Sequence, residues 1–97
     1  MKTFETNENM KKAFEYFVRK RNFKMADLFF DKMECDDVSV YLANFSVVVR
    51  SDFEIVKYLL HKGACKNLLR CYVRCKDTPY LLYRLYFDEK VIDLINS

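Results

Sequence analysis

The residues best suited to chemistry gather in one stretch: His61, Cys65, Cys71 and Cys75 place one imidazole and three thiols within fifteen residues. Nitrogen and sulfur donors in that number are what a tetrahedral structural zinc takes. The spacing, His-x3-Cys and then Cys-x3-Cys, matches neither a zinc ribbon nor a finger. Cys35 also occupies in an earlier segment the place that Cys65 occupies here, which points to small-residue packing instead of ligation. No metal and no other cofactor is expected. His61 and Cys65 are also the pair that a thiol nucleophile with an adjacent base would need. The chain otherwise has no glycine-rich phosphate loop, no nucleophile elbow and no motif-paired carboxylates, so a catalytic role is not expected.

Two basic clusters are placed to meet phosphates: Lys11, Lys12, Arg19, Lys20, Arg21 and Lys24, and then Arg70, Arg74 and Lys76. The first is interleaved with the apolar Phe14, Phe17 and Phe23, as on the solvated face of an end helix. The net charge of +3 is too modest to argue for nucleic acid or an anionic membrane, and neither is the expected partner. Aromatic residues crowd a third place. Tyr72, Tyr80, Tyr83, Tyr86 and Phe87 lie among Arg70, Arg74 and Arg84, and Tyr and Arg are the types enriched at interface hot spots. Arg70, Tyr72, Arg74, Tyr80, Tyr83, Arg84 and Tyr86 are therefore the candidate partner-binding residues, within a surface running from Asn67 to Phe87. The expected partner is another protein; the alternatives are a small nucleic-acid-binding protein using the two basic clusters and a self-assembling helical structural protein.

These side chains need a scaffold, and composition selects its class. The 97 residues suit a single domain, and 52% of them are apolar, enough for a packed core. One Gly and one Pro leave few turns for a β-sandwich or barrel, so the chain reads as all-α. No apolar run reaches membrane-spanning length and the N-terminal MKTFETNENMKK lacks the apolar stretch of a secretory signal. A cytoplasmic location with reduced cysteines follows as the expectation.

The chain also repeats. Asn22–Cys35 lies over Asp52–Cys65 without a gap, pairing Phe23 with Phe53, Met25 with Ile55, Ala26 with Val56, Phe29 with Leu59 and Lys32 with Lys62. Asp88–Ser97 lies over Asp52–His61 in the same way, with Val91 on Ile55, Ile92 on Val56 and Ile95 on Leu59. Each copy spaces apolar residues three and four apart, the mark of one amphipathic helix of about three turns that needs a partner. Candidate partners precede every copy, at Met10–Lys20, Val38–Arg50 and Thr78–Phe87. Three helical hairpins result, at about 7–35, 36–67 and 76–97.

Local signals agree. Ser51 followed by Glu54 is a capping-box pattern ahead of the second copy, and Gly63 stands where a left-handed residue would end that helix. Thr78 with Pro79 reads as a cap followed by proline at the first helical position. The link Asn67–Asp77 has room for an extra turn of helix or a large loop. At the C-terminal side, Val91, Ile92, Leu94 and Ile95 would leave an apolar end exposed and favour a homodimer.

The stretch Asp52–Asn67, DFEIVKYLLHKGACKN, resembles the outer helix and turn of ankyrin repeats: an Ile-Val pair, a Leu-Leu pair, then Gly-Ala and Asn. Thr78-Pro79 is similar to that family's opening of the next inner helix. The flanking copies depart from the pattern, with Met33-Glu34 in place of Gly-Ala and Tyr83-Arg84 in place of a small pair, and the repeat spacing is unequal around the family period of about 33. The resemblance implies a short solenoid of about three helix-turn-helix repeats. It also implies a solvent-facing His61, a concave face of inner helices and turns, and a protein-binding role. Phe-, Tyr-, Lys- and Asn-rich repeats of this kind are similar to those of large DNA viruses, which implies a viral or pathogen factor engaging a host protein.

Overall fold

The computed structural model describes the backbone of residues 2–74 and 88–97 and the side chains of 7–73 and 88–97. Every regular element among them is an α-helix: α1 (Lys2–Arg19), α2 (Phe23–Lys32), α3 (Val38–Val48), α4 (Phe53–His61), α5 (Lys66–Arg74) and α6 (Glu89–Asn96). The chain divides into two compact units, Met1–Asp36 and Asp37–Ser97. The expected inner helix Thr78–Phe87, with its Thr78-Pro79 cap, lies outside the described residues.

In the first unit α1 and α2 form an antiparallel hairpin. Helix α1 begins at Lys2, well before the expected Met10, because Thr3 to Asn9 carry no Gly or Pro to interrupt it. Its core side is set by Phe14 and Val18, four residues apart and both fully buried, with Ala26 of α2 equally buried. Aromatic pairs join the two helices: Phe17 stacks on Phe29 at 5.5 Å with 12° between planes, and Phe14 meets Phe30 at 5.5 Å. These offset geometries contribute about 0.5–1.5 kcal/mol per pair beyond the area that they bury. A reciprocal pair of hydrogen bonds ties down the exit from α2: the Glu34 N–H donates to Asn7 Oδ1 (2.7 Å) and Asn7 Nδ2 donates to the Glu34 carbonyl (2.9 Å).

The second unit holds α3 to α6. Leu42, Ala43, Phe45 and Ser46 of α3 are buried, as are Ile55, Val56 and Leu59 of α4. Ser46 is satisfied internally, its hydroxyl donating to the Leu42 carbonyl at 2.8 Å. The Cys65 N–H donates to the Ser39 carbonyl (3.1 Å), joining the exit of α4 to the start of α3. The described part of the link after Asn67, to Arg74, is helix: α5 packs Leu69 and Val73, 0% and 8% exposed, against the core. Val91 and Ile95 of α6 are fully buried. The apolar end expected to drive homodimer formation is therefore covered at those two positions, because α5 and α4 both pack on α6.

Helix ends follow the repeat. Asn22, Asp52 and Asp88, equivalent in the aligned copies, are each the N-cap of their helix, accepting from the N–H of Met25, Ile55 and Lys90 respectively. The cap of α4 is thus Asp52, one residue beyond the expected Ser51: the Asp carboxylate reaches the Ile55 N–H at 3.2 Å while Ser51 stays in the preceding turn. Gly63 ends α4 with φ +114°, the Ala64 N–H bonding the Leu59 carbonyl and the Gly63 N–H the Leu60 carbonyl, a Schellman motif. Helix α1 ends with the same two bonds, Asn22 to Phe17 and Arg21 to Val18, but here Arg21 takes the left-handed conformation at φ +60°.

An arginine in that conformation carries a steric cost that glycine avoids, so Arg21→Gly should raise stability by about 0.5–1 kcal/mol in urea unfolding. Gly63→Ala should lower it by about 1–2 kcal/mol, although a Cβ would meet nothing within 4 Å, since the cost lies in φ and not in space. Asp37, the N-cap of α3, supplies a pH test. The Ser39 hydroxyl, and then the Val40 N–H, hold its carboxylate below the ordinary 3.8. A folded value below the unfolded one gives stability that is complete above the unfolded value and lost as pH falls through the folded one. NMR titration of Asp37 should show a midpoint below 3.8, and Ser39→Ala should move it upward.

Candidate functional site

Helix α5 carries the described part of the surface expected to bind a partner. Its own hydrophobic spacing turns Leu69 and Val73 inward, which sends Asn67 and Cys71 to solvent and leaves Arg70 and Tyr72 half-buried at the two edges. Both edge residues are engaged within the unit. Arg70 Nε donates to the Ile95 carbonyl (3.1 Å), Nη1 to Asn67 Oδ1 (3.3 Å) and Nη2 to the Ser97 carbonyl (3.5 Å), and Lys66 Nζ reaches the same Ser97 oxygen at 3.1 Å. The last carbonyls of a helix have no partner within it and carry its negative dipole end, so two cations there stabilise α6. Arg70 thus serves as a clamp on α6 in this structure.

Tyr72 points the other way. Its hydroxyl donates to Asn44 Oδ1 at 2.8 Å, linking α5 to α3. Asn44 is exposed and lies between Val40 and Val48 at four-residue spacing, so the three follow one side of α3. Val40 is 37% and Val48 59% exposed. This helix is apolar nearly all round, the composition of an element covered on every side. The result is an apolar strip on α3 with one satisfied polar pair at its middle. Of the other residues expected to bind a partner, Arg74 closes α5 but its side chain lies outside the described residues, as do Tyr80, Tyr83, Arg84 and Tyr86. The pattern of α3 was open to sequence reading, since Val38–Arg50 has apolar residues on all sides.

His61 and Cys71 are exposed and Cys65 is half-buried in the turn ahead of α5, while Cys75 lies outside the described residues. Among the described residues no three His, Cys, Asp or Glu side chains gather as a metal set.

A second exposed feature belongs to the first unit. Tyr16 on α1 is 56% exposed, with its ring edge-on to Phe17 at 5.2 Å and the Lys20 ammonium 5.7 Å from its centroid. Lys12, Arg19 and Lys20, one turn from it along α1, are exposed, as are Arg21 and Lys24 further along the chain.

No helix among the described residues is long and apolar enough to cross a membrane. No protein-family model, curated protein or solved structure matches the chain. What is established is an all-helical protein with helical hairpins closed by side-chain caps.

If Arg70 holds α6 through its carbonyls, Arg70→Met, which keeps the aliphatic stem, should speed amide exchange in the last turn of α6 roughly tenfold while α1 and α2 are unchanged. Unaltered exchange in α6 would remove the clamp.

Proposed function

We propose that this protein is a non-catalytic binding module built from ankyrin-like helical hairpins, and that it engages another protein through the strip Val40–Asn44–Val48 on α3. The observation that carries this reading is the mismatch between the composition of α3 and its burial. A largely apolar helix that leaves Val48 59% exposed has a face suited to a partner. The Tyr72–Asn44 hydrogen bond supports it, since a satisfied polar pair within an apolar strip can enter an interface without leaving an orphaned group. In ankyrin-like hairpins the inner helices line the recognition surface, and α3 stands first in its hairpin with α4. The reading moves the expected surface from the Asn67–Phe87 segment alone to α3 together with Tyr72. The free thiols of Cys35, Cys65 and Cys71 suit a reducing compartment.

The test is affinity purification from native cells with quantitative mass spectrometry, comparing the wild type with Val40→Asp/Val48→Asp. Both positions are exposed, so helix content should be retained, and a partner held by this face should fall at least about tenfold in recovery. A partner recovered equally by both proteins would rule out the α3 strip.

A further inference from the structure

Three of the four one-turn neighbours of Tyr16 on α1 are cations: Lys12 lies four residues before it, and Arg19 and Lys20 lie three and four after, the fourth being the half-buried Ala13. Arg21 and Lys24, which follow in the chain, are also exposed. Between Glu15 and Asp27 the chain has no acidic residue, and both of those carboxylate residues are half-buried. Favourable interaction with the helix dipole accounts for Arg19 in the last turn, but Lys12 and Lys24 lie beyond its reach, so the cluster exceeds what the helix end calls for. We propose that the Lys12–Tyr16–Lys20 face of α1 binds an acidic segment of a protein partner.

Geometry fits such a segment. Lys12 and Lys20 are eight residues apart, about 12 Å along the helix at 1.5 Å per residue. An extended peptide with carboxylates on alternate residues repeats every ~6.6 Å, so about three carboxylates span that distance. Tyr16 supplies an apolar and hydrogen-bonding surface in the middle, and cations around an exposed Tyr are the composition of an interface rim and anchor. A single-stranded nucleic acid is the other anionic polymer to weigh. The Lys20 ammonium already lies over the Tyr16 ring, where a stacked base would have to sit, and the net charge of +3 gives little of the long-range field on which phosphate binding depends. Carboxylate recognition needs only the local pairs.

The inference rests on the protein-binding reading above but uses a different unit and different residues, so the two can fail separately. The measurement is fluorescence anisotropy of the full chain with a short fluorescein-labelled peptide of alternating Glu and Ser around one Leu, and in parallel with labelled oligo(dT) of the same length. The wild type should bind the peptide with an affinity that falls as salt rises. Lys12→Glu/Lys20→Glu should weaken it about tenfold or more, and Tyr16→Ala should weaken it with the charges intact. Lys57→Glu, a reversal at an exposed site on α4, should leave it nearly unchanged. No peptide binding at low salt, equal loss with Lys57→Glu, or tighter binding of oligo(dT) lost in the Lys12→Glu/Lys20→Glu protein would each overturn the proposal. Loss of this binding with retention of a partner held by α3 would leave the proposed function standing.

Discussion

Short helices cannot hold themselves in water, and that constraint governs this structure. Apart from α1, the described helices run from eight to eleven residues, below the length at which an isolated helix persists even with favourable residues. Each forms because a neighbour covers its apolar side. In the first unit the cover is mutual, Phe14 and Phe17 of α1 against Phe30 and Phe29 of α2. In the second unit it is shared, since α5 packs against both α3 and α6 and α4 also packs against α6. Removing one helix would leave the buried Leu59, Leu69 or Ile95 facing water.

The same shortness makes the helix ends weigh heavily. A nine-residue helix has more unpaired terminal N–H and C=O groups than internal bonds. The chain meets this locally at N-termini, with Asn22, Asp37, Asp52 and Asp88 as caps, and at two C-termini with Schellman motifs. At α6 the solution is long-range, with Arg70 and Lys66 reaching the carbonyls of Ile95 and Ser97. One consequence is that cations and aromatics that look free in the sequence are partly spent on structure. Arg70 and Tyr72 hold neighbouring helices, whereas Tyr16 with Lys12 and Lys20 remains exposed on α1. The surfaces that remain differ in kind: an apolar strip on α3 in one unit and a basic strip on α1 in the other.

Much of the fold was legible before any coordinates. The three and four spacing at Met25, Ala26 and Phe29, repeated at Ile55, Val56 and Leu59 and again at Val91, Ile92 and Ile95, places α2, α4 and α6 within a residue or two of where they stand. Gly63 is read correctly because only a residue without Cβ takes φ +114° without strain. The α4 cap was read one residue early, since Ser and Asp are both good caps and the backbone entry decides between them. The functional surface was much less legible. Counting Tyr and Arg pointed to Arg70, and the sequence does not show that, besides nearby Asn67, it bonds main-chain oxygens 25 and 27 residues away.

The sequence by itself determined that the chain is helical, where the repeated helices lie and which residues stop them, because periodicity, caps and positive φ are properties of a few neighbouring residues. Only the tertiary structure decided that the long link is helix α5 as far as Arg74, that α6 is covered at Val91 and Ile95, and that α3 keeps Val40 and Val48 in solvent. An apolar pattern states which side of a helix needs covering. Which neighbour covers it, and which side is left over, depends on contacts between residues far apart in the chain, and those exist only once the helices are packed.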